Sequence, residues 1–246
     1  MLYNKKLTIE YIGTDFAGWQ VQPNGRTVQE ELHKALSRMY KTKVTCIGSG
    51  RTDSGVHALG QVANYRTDRY IPPENVHMGL NSMLPDDVSI VSVEDVPEEF
   101  HAQMSAVSKT YLYRIFASRV RSAMYAGRTW WVKDTLDHRL IGEYLKLFEG
   151  EHDFTSFCVQ TSLRENNVRT INTTRCYMDG DIINIEINGS GFLHNMVRII
   201  TGTLVEAVRK DLGSEYIIEA LEGKDREKAG PTAHAAGLYL QKVYYV

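Results

Sequence analysis

Ten residues, Gly48-Ser49-Gly50-Arg51-Thr52-Asp53-Ser54-Gly55-Val56-His57, set an acid and a base among three glycines between two apolar runs. Glycine tolerates positive φ and lets a ligand approach the backbone, and an arginine beside an aspartate favours the ionised carboxylate. The plain reading is a turn with a surface ion pair; the sharper one is a catalytic carboxylate carried on a loop. Other chemistries fail on residue type. A dinucleotide fingerprint needs a third glycine where Asp53 stands, and a P-loop needs a Gly-Lys-Ser/Thr that the loop lacks. Asp53-Ser54-Gly55 matches the short signature of aspartic proteases, but those need a second catalytic aspartate facing the first. No second copy occurs, and Arg51 and Thr52 are too polar for that family's apolar strand. There is no His-Glu-x-x-His and no His-Cys cluster, so all eight histidines are read as structural and no metal is expected.

Arg198 is the second candidate, a charge among Met196, Val197, Ile199 and Ile200. Burying an unpaired guanidinium is costly, so an inward-facing Arg198 must reach a carboxylate or a phosphate, and Asp53 is one candidate partner. The alternative is an arginine on the exposed side of its helix. A third feature is charge separation. Residues 109–133 carry six bases (Lys109, Arg114, Arg119, Arg121, Arg128, Lys133) and no acid, interleaved with Tyr111, Tyr113, Phe116, Tyr125, Trp130 and Trp131, whereas residues 84–99 carry six acids and no base. Cations beside aromatic faces suit nucleic acid, whose phosphates need neutralising and whose unstacked bases need a platform. The competing reading is a solvated strand and loop whose aromatics face the core.

The whole-chain numbers conceal this local contrast. Twenty-eight Lys plus Arg against thirty Asp plus Glu leave a net charge of −2, so no uniformly basic chain argues for a nucleic-acid partner. At 246 residues, 43% hydrophobic and 24% charged, the composition is that of a globular protein, not of a disordered, collagenous or coiled-coil one. Cys46, Cys158 and Cys176 lie far apart, which indicates neither a disulfide framework nor a cysteine zinc site and fits a reducing cytoplasm. No apolar run approaches the roughly 18 residues that span a bilayer, so no membrane association is expected.

Several elements must position these groups. Residues 7–11 alternate as a half-buried strand, interrupted by the glycines at 13 and 18. Thr27-Val28-Gln29-Glu30 has capping-box spacing ahead of a helical stripe at Val28, Leu32, Leu36 and Met39. Strands are predicted at 44–47, 62–65 and 88–93 and a helix at 73–84, which makes the order β-α-β-β-α-β of a ferredoxin-like unit. The second half is read the same way, from element order alone: strand 111–117, a helical stripe through 140–148, strands 171–178 and 182–187 about an Asp179-Gly180-Asp181 hairpin, helices at 194–208 and 214–221, and a closing strand at 237–244. The expected fold is therefore α+β, two ferredoxin-like halves with antiparallel sheets and a cleft between them, divided as residues 1–105 and 106–246.

Six segments in order then resemble the TruA-type tRNA pseudouridine synthases: YIGTDFAGWQ (11–20), GRTDSGVHA (50–58), NSMLPD (81–86), GEHDFTSF (150–157), GFLHNMVR (191–198) and GPTAHAAGLYL (230–240). The resemblance implies a pseudouridine synthase fold and isomerisation of uridine to pseudouridine in the anticodon stem-loop of tRNA, at positions 38 to 40, by a cytoplasmic homodimer without metal or organic cofactor. It makes Asp53 the catalytic aspartate, Arg198 its ion-pair partner, Tyr111 the ring over the target base and Leu238 an apolar wall, with Arg51 expected to contact substrate. The chemistry fits those residue types, since moving the glycosidic bond from N1 to C5 requires a nucleophile or anion stabiliser near C1′, such as a carboxylate, and a detached uracil free to turn. Attack at C1′, attack at C6 and assisted elimination are all open to Asp53. Two positions depart from the family pattern: Gln103 stands where an arginine is usual and His234 where a proline is usual. Rival readings are a synthase acting on other uridines and a catalytically silent RNA-binding protein of the same fold.

Overall fold

The computed structural model describes residues 2–246. In chain order the regular elements are β1 (Tyr3–Tyr11), α1 (Val28–Tyr40), β2 (Cys46–Gly48), β3 (His57–Thr67), α2 (Pro73–Asn81), β4 (Val88–Val96), β5 (Ala106–Ala117), β6 (Trp130–Val132), α3 (His138–Leu145), β7 (Gly150–Asp153), β8 (Val168–Asp179), β9 (Ile182–Gly189), α4 (Met196–Lys210), α5 (Glu215–Gly223) and β10 (Leu238–Tyr245). The architecture is α+β with mostly antiparallel strand pairing. The chain divides into two compact units, residues 1–107 with 239–246, and residues 108–238. The closing strand, read above with the second half, thus joins the first unit, pairing parallel to β3 at Tyr239–His57 and Leu240–Ala58.

In the first unit the strand order is β4-β1-β3-β10, with β2 also paired to β3. Leu7, Ile9 and Tyr11 alternate into the core as the sequence pattern requires. The stripe Val28, Leu32, Ala35 and Leu36 of α1 is buried, and the Tyr40 hydroxyl meets that of Tyr65 on β3 at 3.0 Å. The opposite face of the sheet is closed by polar groups. Asn4 and Asn64 bond each other, Asn4 donates to the Pro97 and Phe100 carbonyls, and Asn64 accepts from the Ala102 amide. That network ties down the connection to the second unit's first strand from within the first.

The second unit has the order β6-β5-β9-β8-β7, antiparallel except for the parallel pair β5–β6. Strands β6 and β7 were not anticipated: at three and four residues they are too short to display a period. Helix α4 is buried on nearly every side, and its two buried threonines return their hydroxyls to the chain, Thr201 to the Val197 carbonyl and Thr203 to that of Ile199. It begins two residues later than the apolar run suggested, because Asn195 is left-handed at φ 62 and serves as its N-cap position.

The capping box of α1 forms only in part. Thr27 accepts from the Glu30 amide at 3.4 Å, but the Glu30 carboxylate pairs with Lys34 at 3.2 Å instead of returning to the cap. The remaining cap is worth about 1 kcal/mol. Thr27→Ala is therefore expected to lower unfolding free energy by roughly that amount in urea titration, and Glu30→Ala by at most a few tenths.

Candidate active site

The loop between β2 and β3 is held by main-chain contacts with residues 12–19. The Trp19 amide donates to the Thr52 carbonyl at 3.1 Å, the Gly55 amide to the Phe16 carbonyl at 3.3 Å, and the Ser54 hydroxyl to that same carbonyl at 3.2 Å. From β1 the Tyr11 hydroxyl meets Thr52 Oγ1 at 2.7 Å, and from β3 the Gln61 amide donates to the Gly50 carbonyl while its oxygen accepts from Ser49. Gly13 is required for this fit: a Cβ there would sit 2.0 Å from the Val56 carbonyl oxygen. Asp53 lies at the tip, half-buried, its carbonyl accepting from the Val56 amide to close a turn.

Other residues of the loop sort themselves by exposure. Arg51 is exposed and has no ion pair to Asp53 or any other described residue, so the plain reading of a surface pair is set aside. His57 is 1% exposed, stacks on Tyr239 at 4.6 Å, and accepts the Gly13 amide at Nδ1, which requires a lone pair there. Both contacts are packing contacts within the first unit. Behind the loop, Arg26 grips Asp87 through two bonds of 2.6 and 2.9 Å and stacks over the Phe16 ring at 4.2 Å.

In the second unit, α4 and β5 bring together a separate group. Tyr111 and Tyr113, two apart on β5, share one face of the strand. Phe192 meets Tyr111 edge-on at 4.9 Å. Tyr113 is fully buried, which pushes its hydroxyl pKa well above the ordinary value, opposed by the nearby positive charge of Arg198. Arg198 is half-buried and held at two points, Nε to the Ala233 carbonyl at 2.8 Å and Nη1 to Asn195 Oδ1 at 2.7 Å, while its own carbonyl accepts from the Ala233 amide. The Tyr113 hydroxyl donates to the next carbonyl, His234, at 2.6 Å. Gly202 permits the closest approach, since a Cβ there would be 1.7 Å from the Pro231 oxygen. Leu238, four residues after His234, is 6% exposed. At the first departure from the family pattern, His234 has φ −63, a value proline would impose, and its Nδ1 accepts the Ala236 amide. Gln103, the second, is exposed.

The basic stretch divides in two. Tyr113 and Phe116 are core residues, Trp130 packs on Tyr113 and Tyr125 on Phe116, so those aromatics follow the competing, structural reading. Lys109 and Arg114 are half-buried, and burial lowers the Lys109 pKa. Arg119, Arg121, Arg128 and Lys133 are exposed, as is Trp131. Arg119 and Arg121 form no ion pair with any described residue. The acidic stretch is different: Asp87 binds Arg26, Glu94 binds Lys6 and Asp95 binds the buried Lys5.

Thiolate chemistry finds no support, because burial raises the Cys46 pKa to about 12 and that of Cys176 to about 11. Among the described residues no three His, Cys, Asp or Glu side chains are grouped to hold a metal, and no helix is long and apolar enough to cross a membrane.

The family model for tRNA pseudouridine synthase matches residues 7–104 and 145–246. Two curated proteins named tRNA pseudouridine synthase A, from Brachyspira hyodysenteriae and Ruminiclostridium cellulolyticum, are each 45% identical to this chain over 98% of both sequences. The chain belongs to the tRNA pseudouridine synthase family. A third relative, tRNA pseudouridine synthase A 2 from Clostridium perfringens, is 42% identical over 98% of this chain and 99% of its own. Asp53, Arg198 and Leu238 of this pseudouridine synthase lie inside the matched segments, and Tyr111 lies between them.

The sequence pattern assigns no task to segment 11–20, places Tyr113 only among the aromatics of the basic stretch and does not single out Arg26. The glycine spacing at 13 and 18 was the available signal. Gly13→Ala tests the assignment: the loop must shift by about an ångström, so single-turnover pseudouridine formation should fall roughly ten- to a hundredfold in protein that remains folded by circular dichroism. A rate within twofold of the parent would show that the loop's packing does not set the position of Asp53.

Proposed function

We propose that this protein converts uridine to pseudouridine in the anticodon stem-loop of tRNA, at positions 38 to 40, with Asp53 as nucleophile. The observation that carries the reading is a half-exposed carboxylate on a loop immobilised from three sides, in a chain of this family. A carboxylate so held loses little freedom on reaching the sugar, which is the condition for efficient covalent catalysis. As the carboxylate bonds to C1′ the C1′–N1 bond breaks; the uracil anion turns and attacks C1′ through C5, releasing the carboxylate, after which C5 loses its proton and N1 takes one up. In this reading Arg198 is the cation paired with Asp53, Tyr111 stacks on the extruded base, Leu238 limits water, and Arg51, exposed beside Asp53, contacts the RNA.

The proposal extends to architecture and setting. Each half is read as ferredoxin-like, supported in the first unit by the β-α-β-β-α-β order and the neighbours β4-β1-β3-β2. The enzyme is taken to act as a cytoplasmic homodimer and to need no metal or organic cofactor. Its tRNA-binding face includes Arg119, Arg121, Arg128 and Lys133, since exposed cations suit a polyanion.

Asp53→Asn preserves size and removes charge. Turnover should be abolished with tRNA affinity kept within about tenfold, because losing an anion near a polyanionic ligand need not weaken binding. Measurable pseudouridine from a purified Asp53→Asn protein would sink the assignment.

Salt dependence tests the binding face. Replacing Arg119 and Arg121 together by Gln should weaken every tRNA alike and reduce the log-log salt slope of binding by roughly one to two, a little under one per phosphate contact. In the same titration Tyr111→Ala, which removes a stacking surface but no charge, should slow turnover and leave the slope unchanged. A parental slope in the double variant would place the RNA on another surface.

A further inference from the structure

The reading above makes Arg198 part of the catalytic machinery, and resting on it we infer that Arg226 is a positioning residue that holds Arg198 through the strap of residues 229–234. Arg226 opens a short turn, Arg226–Lys228, between α5 and that strap. Its guanidinium closes on the strap at three points, Nη1 to the Ala229 carbonyl at 3.1 Å and the Gly230 carbonyl at 2.9 Å, and Nη2 to Thr232 Oγ1 at 3.2 Å. A planar fork meeting three acceptors fixes both the distance and the orientation of the segment it grips, which a lysine cannot do. Immediately beyond the gripped residues, Ala233 exchanges two hydrogen bonds with Arg198, its amide to the Arg198 carbonyl and its carbonyl to Arg198 Nε. The line of contact from Arg226 to the Arg198 guanidinium therefore passes through only a few strap residues.

The far ends of this arrangement are anchored as well. The amide of Asp225 donates to the hydroxyl of the fully buried Ser156 at 2.8 Å, which ties the Arg226 turn to the 150–157 segment. The Gly230 amide donates to Thr203 Oγ1 at 2.9 Å, which ties the strap to α4 five residues after Arg198. With both anchors in place, Arg226 governs the remaining freedom of the strap, namely how Ala233 is presented to Arg198. No carboxylate pairs with Arg226 among the described residues, so its charge is directed to the strap.

The test uses the full-length protein and single-turnover pseudouridine formation on tRNA. Arg226→Gln should lower the rate constant at saturating tRNA roughly ten- to a hundredfold, with Kd for tRNA unchanged within about twofold and an unchanged thermal transition. Arg226→Lys should recover little, for want of the fork. In an Arg198→Lys background Arg226→Gln should cause no further loss, since the two act through one group. Thr232→Val, which removes one acceptor and leaves the charge, should show a smaller loss of the same kind and carries the test if Arg226→Gln does not fold. A parental rate in folded Arg226→Gln overturns the inference. So does a loss confined to Kd, which would make Arg226 an RNA contact, or a loss that multiplies fully with that of Arg198→Lys. If the unaltered protein makes no pseudouridine in any tRNA, the functional reading itself has failed, independently of Arg226.

Discussion

Main-chain packing behind Asp53 is the constraint on which the first unit is built. The role proposed for Asp53 needs sub-ångström placement, yet the residue sits on a ten-residue loop, the kind of element with the most freedom. The freedom is removed by laying residues 12–19 against the loop, backbone on backbone, at Thr52, Ser54, Gly55 and Val56. Contacts between main chains do not depend on rotamers, so they hold position more tightly than side-chain packing of similar area. The rest of the unit serves this contact. Strand β1 delivers Tyr11 to Thr52, β3 delivers Gln61 to Gly50, and Arg26 braces Phe16 from behind while gripping Asp87.

The second unit restrains a charged group with different parts. Arg198 is a long, flexible side chain, and its placement comes from Asn195 at one end and the Ala233 carbonyl at the other. Holding Ala233 in turn requires a strap close enough to α4 that Gly202 has no room for a side chain. Tyr113 then uses the strap's next carbonyl to satisfy a hydroxyl that would otherwise be buried without a partner. Four of the six segments that carry the family resemblance, 11–20, 50–58, 191–198 and 230–240, thus meet in pairs, one pair in each unit.

Charge follows the same division of labour. In the first unit the acids at 87, 94 and 95 are engaged by Arg26, Lys6 and Lys5, including a lysine with no exposed surface, so they contribute structure and little outward field. In the second unit Arg119 and Arg121 have no such partners. A net charge of −2 is therefore compatible with exposed cations at Arg119 and Arg121, because the sum does not record which charges are engaged in ion pairs.

The kinds of chemistry available were legible in the residues alone. An aspartate among glycines, an arginine in an apolar helix and six family segments in order are properties of the chain. Local elements were legible too, because the stripe of α1 and the hairpin between β8 and β9 are stabilised by neighbours a few residues away. What tertiary structure decided was partnership. Nothing in residues 237–244 says that the strand will run parallel to β3, some 180 positions earlier, and nothing in 109–133 says which aromatics turn inward until β5 is placed between its neighbours. The hydrogen bonds from Tyr113 to His234 and from Arg226 to the strap are equally silent in the sequence. A periodic pattern records the energy of burying one face, whereas a hydrogen bond between distant residues depends on where the whole chain has been led.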